Sequence, residues 1–152
     1  MKFVTSKQVN VPFIFCPDPV VIDKRKSWGE SEDNFQKAPN GAFLKMKDSK
    51  TVSHLVQPNS TKTAPVGWVY SGRDNFYDKL PIFVGEKVNK GEAKKIKTLD
   101  GEISYEAKED SWVVYNVKNI ANPGDCGSYE PDLEDCWVQK ESDLIKNYNF
   151  TL

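Results

Sequence analysis

Histidine occurs once in this chain, at position 54, and its scarcity removes more functional classes than any residue that is present adds. Chemistry that needs two imidazoles, such as two-histidine phosphoester cleavage or a histidine-rich metal centre, has no residues to draw on. His54 falls in a run of β composition, and spacing places no serine or cysteine beside it, so it reads first as a structural residue and not as a base. Cysteine is also sparse. Cys16, Cys126 and Cys136 are an odd set that cannot pair completely within one chain, and three is too few for a disulfide scaffold in 152 residues. A reducing compartment is expected, and the localisation is read as cytoplasmic. Cys126 and Cys136 bracket GSYEPDLED and would close a small loop only under oxidising conditions.

Excess charge of one sign is missing as well. The 21 basic and 22 acidic side chains leave a formal net charge of −1, which disfavours general binding to phosphate backbones. Long apolar runs are absent, well short of the roughly 20 residues that span a bilayer, and MKFVTSKQVNVPFIF has neither the apolar core nor the cleavage site of a leader. A soluble, unprocessed chain is expected, with no membrane partner. Cys-x-x-Cys pairs, a Walker loop and a dinucleotide glycine pattern are all lacking, so no cofactor and no metal is expected. The sequons at Asn59 and Asn149 carry meaning only on a secreted chain. A chain of this length makes one domain or two very small ones.

What is present is β composition. Residues 9–15 (VNVPFIF) suit a strand, with Pro12 restricting it to a sheet edge or a strand start. A second short strand is expected at 20–23, followed by irregular polar structure to Gly41. Residues 42–47 and 51–56 form an expected hairpin. Pro58 makes 57–64 a connector, and 67–70 (GWVY) is a compact aromatic strand. Ser71 or Asp74 then caps a single helical turn. Further strands are expected at 80–84 and 93–98. Asp100-Gly101 is the most specific hairpin signal in the chain, because both residues tolerate the positive φ of a type I′ turn. Residues 112–117 (WVVYNV) lack strict alternation, which points to burial on both faces and to the centre of the core. A loop over 119–135, a strand at 136–139 and a helix over 142–148 complete the reading.

An internal repeat organises these elements. Pro12 and Pro81, Ala38 and Ala107, and Phe43 and Trp112 are each separated by 69 residues (81 − 12, 107 − 38, 112 − 43). Gln57 and Ser60 recur as Gln139 and Ser142 at an offset of 82, which fits an insertion of 13 residues within ANPGDCGSYEPDLED. The competing account is chance alignment of two β-rich segments.

The stretches DKLPIFVGEKV, IKTLDGEISYEAKEDSWVV and CWVQKESDLIKNY resemble small phage and prophage proteins and the related bacterial domain named for its Pro-Gly-Asp-Tyr-Gly motif. The resemblance covers residues 78–150, under half the chain. Lys108, Glu109 and Asp110 stand where that family has Pro, Gly and Asp, so only the acid is kept, and the acidic insertion is foreign to the pattern. The resemblance implies paired strands with a closing helix and no catalytic residues.

The remaining signals are surfaces. Lys87, Lys90, Lys94, Lys95 and Lys97 outnumber Glu86 and Glu92 and would meet a phosphate or an acidic partner, or else shield an edge strand. Asp125, Glu130, Asp132, Glu134 and Asp135 crowd one loop without EF-hand spacing, and a solvated acidic loop is the simpler account than a calcium site. Trp68, Tyr70, Arg73, Phe76 and Tyr77 combine the side chains that dominate binding hot spots with a position between the two expected lobes; core packing is the alternative. The chain is therefore read as a β-rich α+β protein of two tandem related small lobes with a short C-terminal helix. These are an N-terminal lobe over 1–66, a connector over 67–79 and a C-terminal lobe over 80–152. The expected function is a non-enzymatic protein-interaction module of phage or mobile-element origin acting on a host protein. The alternatives are a binder of a small anionic, nucleotide-like ligand and a carboxylate- or metal-dependent hydrolase.

Overall fold

A computed structural model describes residues 1–23, 35–48, 50, 52–98, 101–119 and 129–152. The chain forms two compact units, Met1–Lys7 with Leu80–Leu152, and Gln8–Lys79. Both are antiparallel and β-rich, and the only helix among the described residues lies near the C-terminus.

In the first unit, β1 (Lys2–Val4) opens a four-stranded sheet that continues in the second half of the chain. Its fellows β9 (Ile82–Val88), β12 (Ser111–Asn119) and β13 (Tyr129–Lys140) follow in the spatial order β1-β9-β12-β13. As the WVVYNV run predicted, β12 is an inner strand. It is paired on both sides, and Val113 and Val114, which point to opposite faces, are both buried. Helix α1 (Glu141–Asn147) lays Leu144 into a core of Val4, Ile82, Val84, Val114, Tyr148 and Phe150. Acidic residues occupy its first turn and Lys146 its last, matching the helix dipole, but no side chain caps its start. The C-terminal segment runs back along the N-terminus: Asn149 donates its N–H to Thr5 O and Lys7 to Asn147 O, at 2.9 and 2.8 Å. A separate hairpin of β10 (Ala93–Thr98) and β11 (Gly101–Glu106) lies between β9 and β12 in sequence. Thr98 pairs with Gly101, so Gly101 belongs to the strand, where the Asp-Gly signal had placed it in the turn. Asp100 itself lies outside the described residues.

The second unit holds a five-stranded sheet in the order β6-β5-β2-β8-β7. Its strands are β2 (Val11–Cys16), β5 (Ala42–Met46), β6 (Val52–Val56), β7 (Trp68–Tyr70) and β8 (Phe76–Lys79). A hairpin of β3 (Val20–Asp23) and β4 (Phe35–Ala38) completes the unit. One face of the large sheet carries Phe13, Phe43, Trp68 and Tyr77, with Ala64 from the loop packed against them. Phe13 is the hub, meeting Trp68 and Tyr77 edge-on at 4.8 and 5.6 Å between ring centroids. The other face buries Ala38, Ala42 and Leu55 beside Val20 and Leu44.

Several expectations are corrected here. Of the two places expected for Pro12, a sheet edge or a strand start, the structure shows the second: it is the second residue of β2, which is the middle strand of its sheet. The ladder to β5 begins only at Phe13↔Lys45, and Phe13 N–H bonds Asn75 O on the β8 side, so the missing proline donor faces a stretch where no ladder has formed. The polar stretch after residue 23 contains β4, a strand with no alternating apolar signal. Within residues 67–79, read as a connector, the strand expected at 67–70 forms as β7, but β8 follows it and no helical turn forms at Ser71 or Asp74. Tyr129–Lys140 is strand where a loop to residue 135 was expected. Residues 1–7 join the later half of the chain, not the earlier one.

Candidate functional site

The five residues singled out by the sequence all fall on the β7–β8 hairpin of the second unit, and the structure sorts them into two roles. Cross-strand pairing sets Trp68 opposite Lys79 and Tyr70 opposite Tyr77, which places Trp68, Tyr70 and Tyr77 on the core face. Trp68 and Tyr77 are buried in the aromatic cluster around Phe13, and burial pushes the Tyr77 hydroxyl pKa above its ordinary value. These two are core residues. Tyr70 lies at the end of the same row but is 53 % exposed, its ring 6.3 Å from that of Tyr77.

The turn between the strands explains why this end stands out. Gly72 and Asn75 adopt positive φ (101° and 69°), Phe76 N–H bonds Arg73 O at 3.0 Å, and Ser71 Oγ donates to Phe76 O at 2.9 Å. Glycine and asparagine tolerate that backbone. The turn carries Asp74 under Tyr70, whose hydroxyl donates to Asp74 Oδ1 at 2.9 Å; that bond holds the phenol pKa above its usual value. Phe76 points to the opposite face, next to Pro12 across the ladder. The Arg73 guanidinium lies over its ring at 4.1 Å. The exposed Tyr70 and Arg73 and the half-buried Phe76 therefore form an internally braced tip. Sequence reasoning weighed Asp74 only as a helix cap and missed its role as the brace of Tyr70.

The other candidates resolve differently. Of the five lysines, Lys94 pairs with Glu86 at 2.8 Å, Lys95 with Glu102 at 2.6 Å and Lys87 with Asp110 at 3.6 Å, which reduces the positive field expected there. The same unit has an open depression of ≈ 450 Å³ lined by Lys90, Lys108, Glu109, Asp110, Glu141, Ser142 and Ile145. Each carboxylate in it already accepts a hydrogen bond: Glu109 from Ser142 Oγ, Asp110 from Lys90 N–H and Glu141 from Trp112 Nε1. The Lys90 N–H, aided by the Lys87 charge, holds the Asp110 pKa below the usual carboxylate value. Among the described residues no group of three or more His, Cys, Asp or Glu side chains is arranged to hold a metal ion. Asp125 of the acidic loop and Cys126 of the candidate disulfide lie outside those residues. Cys136 is a buried thiol directed at Lys97 O (3.1 Å), and burial raises its pKa, away from the reactive thiolate. His54 is paired across the sheet with Lys45, and its Nδ1 lies 3.1 Å from Ser53 Oγ. No helix among the described residues is long and apolar enough to cross a membrane. No family model matches this chain, and no curated protein and no solved structure matches it.

Proposed function

We propose that this protein is a non-enzymatic interaction module that docks onto another protein through the tip of the β7–β8 hairpin. The observation that carries the reading is the braced state of that tip. Tyr70 is exposed yet tied to Asp74, and Arg73 is stacked on Phe76 at 4.1 Å. Tyr and Arg are the side chains that most often dominate interface energetics, and holding them in place beforehand lowers the ordering cost of binding. A host protein as the partner, and a phage or mobile-element origin, rest on the sequence resemblance alone.

We also read the two units as diverged copies. In one, β2 pairs with β5 and β5 with β6, and the β3–β4 hairpin falls between β2 and β5 in sequence. In the other, β9 pairs with β12 and β12 with β13, with β10–β11 between β9 and β12. Residues 69 apart have matching environments: Ala38 and Ala107, Ala42 and Ser111, and Phe13 and Ile82 are all buried. The register has slid, since Phe15 pairs with Phe43 while Val84 pairs with Val114 and not with Trp112. From Val114 onward the slide is two residues, which keeps side chains on their original face, whereas at Ser111 and Trp112, across a bulge, it is three.

The docking reading is tested by immobilising the full chain and the Tyr70→Ala/Arg73→Ala variant and exposing both to lysate of the cells that make the protein. A protein retained by the wild type and released from the variant, with equal melting temperatures, supports the reading. Equal retention, or none, would sink it.

A further inference from the structure

β13 contains a detour that its sheet does not need. Tyr115 pairs with Cys136 and Val117 with Pro131, so Asn116 alone stands opposite residues 132–135, four positions against one. A bulge of this size disrupts the ladder and aims side chains away from it. Its root is fastened: Asn116 Nδ2 donates to Asp135 Oδ2 at 2.8 Å, and both residues are buried. A second bond, from Glu134 N–H to Asp132 Oδ1 at 3.1 Å, closes the arch. At the crown is Leu133, which at 65 % exposure is the most exposed large aliphatic residue away from the chain ends among the described residues. Glu134 and Glu130 beside it are exposed and Asp132 is partly so; no Lys or Arg occurs from Tyr129 to Gln139, and Lys118 faces only Glu130 across the ladder.

We propose that this bulge is a second docking element, independent of the hairpin tip, which seats Leu133 in an apolar pocket of a partner protein rimmed by Lys or Arg. A leucine 65 % exposed at the crown of the arch leaves most of its apolar surface in water, and covering that surface by a partner is favourable. The acids around it select the occupant. They repel anionic membranes, nucleic acids and acidic protein surfaces, and they complement a basic rim, where charge sets encounter and specificity.

The test places a photoactivatable diazirine analogue of leucine at position 133 of the full chain, in the cells that make the protein. The same residue at 145 and 152, which are exposed apolar positions of the same unit, serves as control. The expected result is one adduct from position 133, absent from 145 and 152 and retained in the Tyr70→Ala/Arg73→Ala background, so that failure of the hairpin reading leaves this one standing. The trapped protein, once purified, should bind at least about tenfold more weakly to Leu133→Asp and to Asp132→Lys/Glu134→Lys, and more weakly as salt rises. Leu133→Met should bind as the wild type does. Unchanged melting of Leu133→Asp would show that the loss is not unfolding. No adduct at 133, adducts of equal yield at all three positions, or binding indifferent to both the charge reversal and salt would each overturn the proposal.

Discussion

The backbone N–H of Lys79 donates to the carbonyl of Gln8 at 3.0 Å, so the unit Gln8–Lys79 begins and ends at one place. In the chain that flanks this unit, Val4 of β1 is paired directly with Ile82 of β9. The second unit is thus an insertion between two neighbouring strands of the first, and insertions whose ends adjoin are the kind a fold tolerates gaining or losing. Replacing residues 8–79 with a short Gly-Ser linker is expected to leave a chain that unfolds cooperatively and keeps near-ultraviolet dichroism from Trp112 and Trp137. A spectrum without tertiary signal would show that the first unit cannot stand without its insert.

Gly41 is irreplaceable for two reasons that act together. It has φ of +94°, and a Cβ built on it would lie 2.5 Å from the carbonyl oxygen of Cys16, a backbone atom that cannot swing aside. Gly41→Ala is therefore expected to destabilise the protein by about 1–3 kcal/mol or more, through strain at the start of β5. Chemical denaturation read by tryptophan fluorescence measures it, and a loss below roughly 0.5 kcal/mol would mean the turn relaxes freely.

How much of this was legible in the sequence depended on whether a strand advertises itself. The WVVYNV run was found because a strand buried on both faces needs apolar residues at successive positions, and VPFIF because its β-branched and aromatic composition suits a strand, although Ile14 is half exposed. β1 was missed: KFV is three residues long, and what holds it is Val84, Phe83 and Ile82, far along the chain. β4 (FQKA) and β8 (FYDK) were missed for the same reason, since pairing with a neighbour and not local composition decides them. Of the candidate site, residue type found Tyr70 and Arg73, but it had no means of separating them from Trp68 and Tyr77. Position along the hairpin, visible only once its register is known, separates them: Tyr70 shares the core face with Trp68 and Tyr77 but lies at its exposed end, and Arg73 sits in the turn. The β13 arch was invisible because its acids looked like loop.

Phe13 on β2 and Ile82 on β9 are each fully buried, one in each unit. Phe13 meets the rings of Phe43, Trp68 and Tyr77, whereas Ile82 shares its core with Val4, Val114 and Leu144. Phe13→Ala is expected to cost about 3–5 kcal/mol and Ile82→Ala about 2–5 kcal/mol. Hydrogen exchange locates the damage: the first variant should lose protection chiefly in β2, β5 and β8, the second in β1, β9 and β12. Uniform loss in both variants would contradict a division into two units.

Lys45 gives the chain a pH dependence of known sign. Its ammonium reaches Gln8 Oε1 at 3.3 Å and lies 5.4 Å from the centre of the Trp68 ring, and partial burial pulls its pKa below 10.5. At neutral pH the amine is charged in both folded and unfolded chains, and the folded state bears the whole cost of desolvating it. As pH climbs from the lowered folded pKa to 10.5, the folded chain releases the proton while the unfolded chain keeps it, so this group favours folding increasingly across that window. Tyr70 and Tyr77, whose pKa values are raised, act in the opposite direction as pH passes 10, so the measurement has to be a difference. Relative to Lys45→Met, which keeps the stem over Trp68 and lacks the charge, the wild type should hold a constant difference near neutral pH and gain melting temperature only as pH rises through that window toward 10.5, with the tyrosine contribution cancelling. Two curves that run parallel across the window would mean that the Lys45 amine is solvated in the folded protein and that its contact with Trp68 costs nothing.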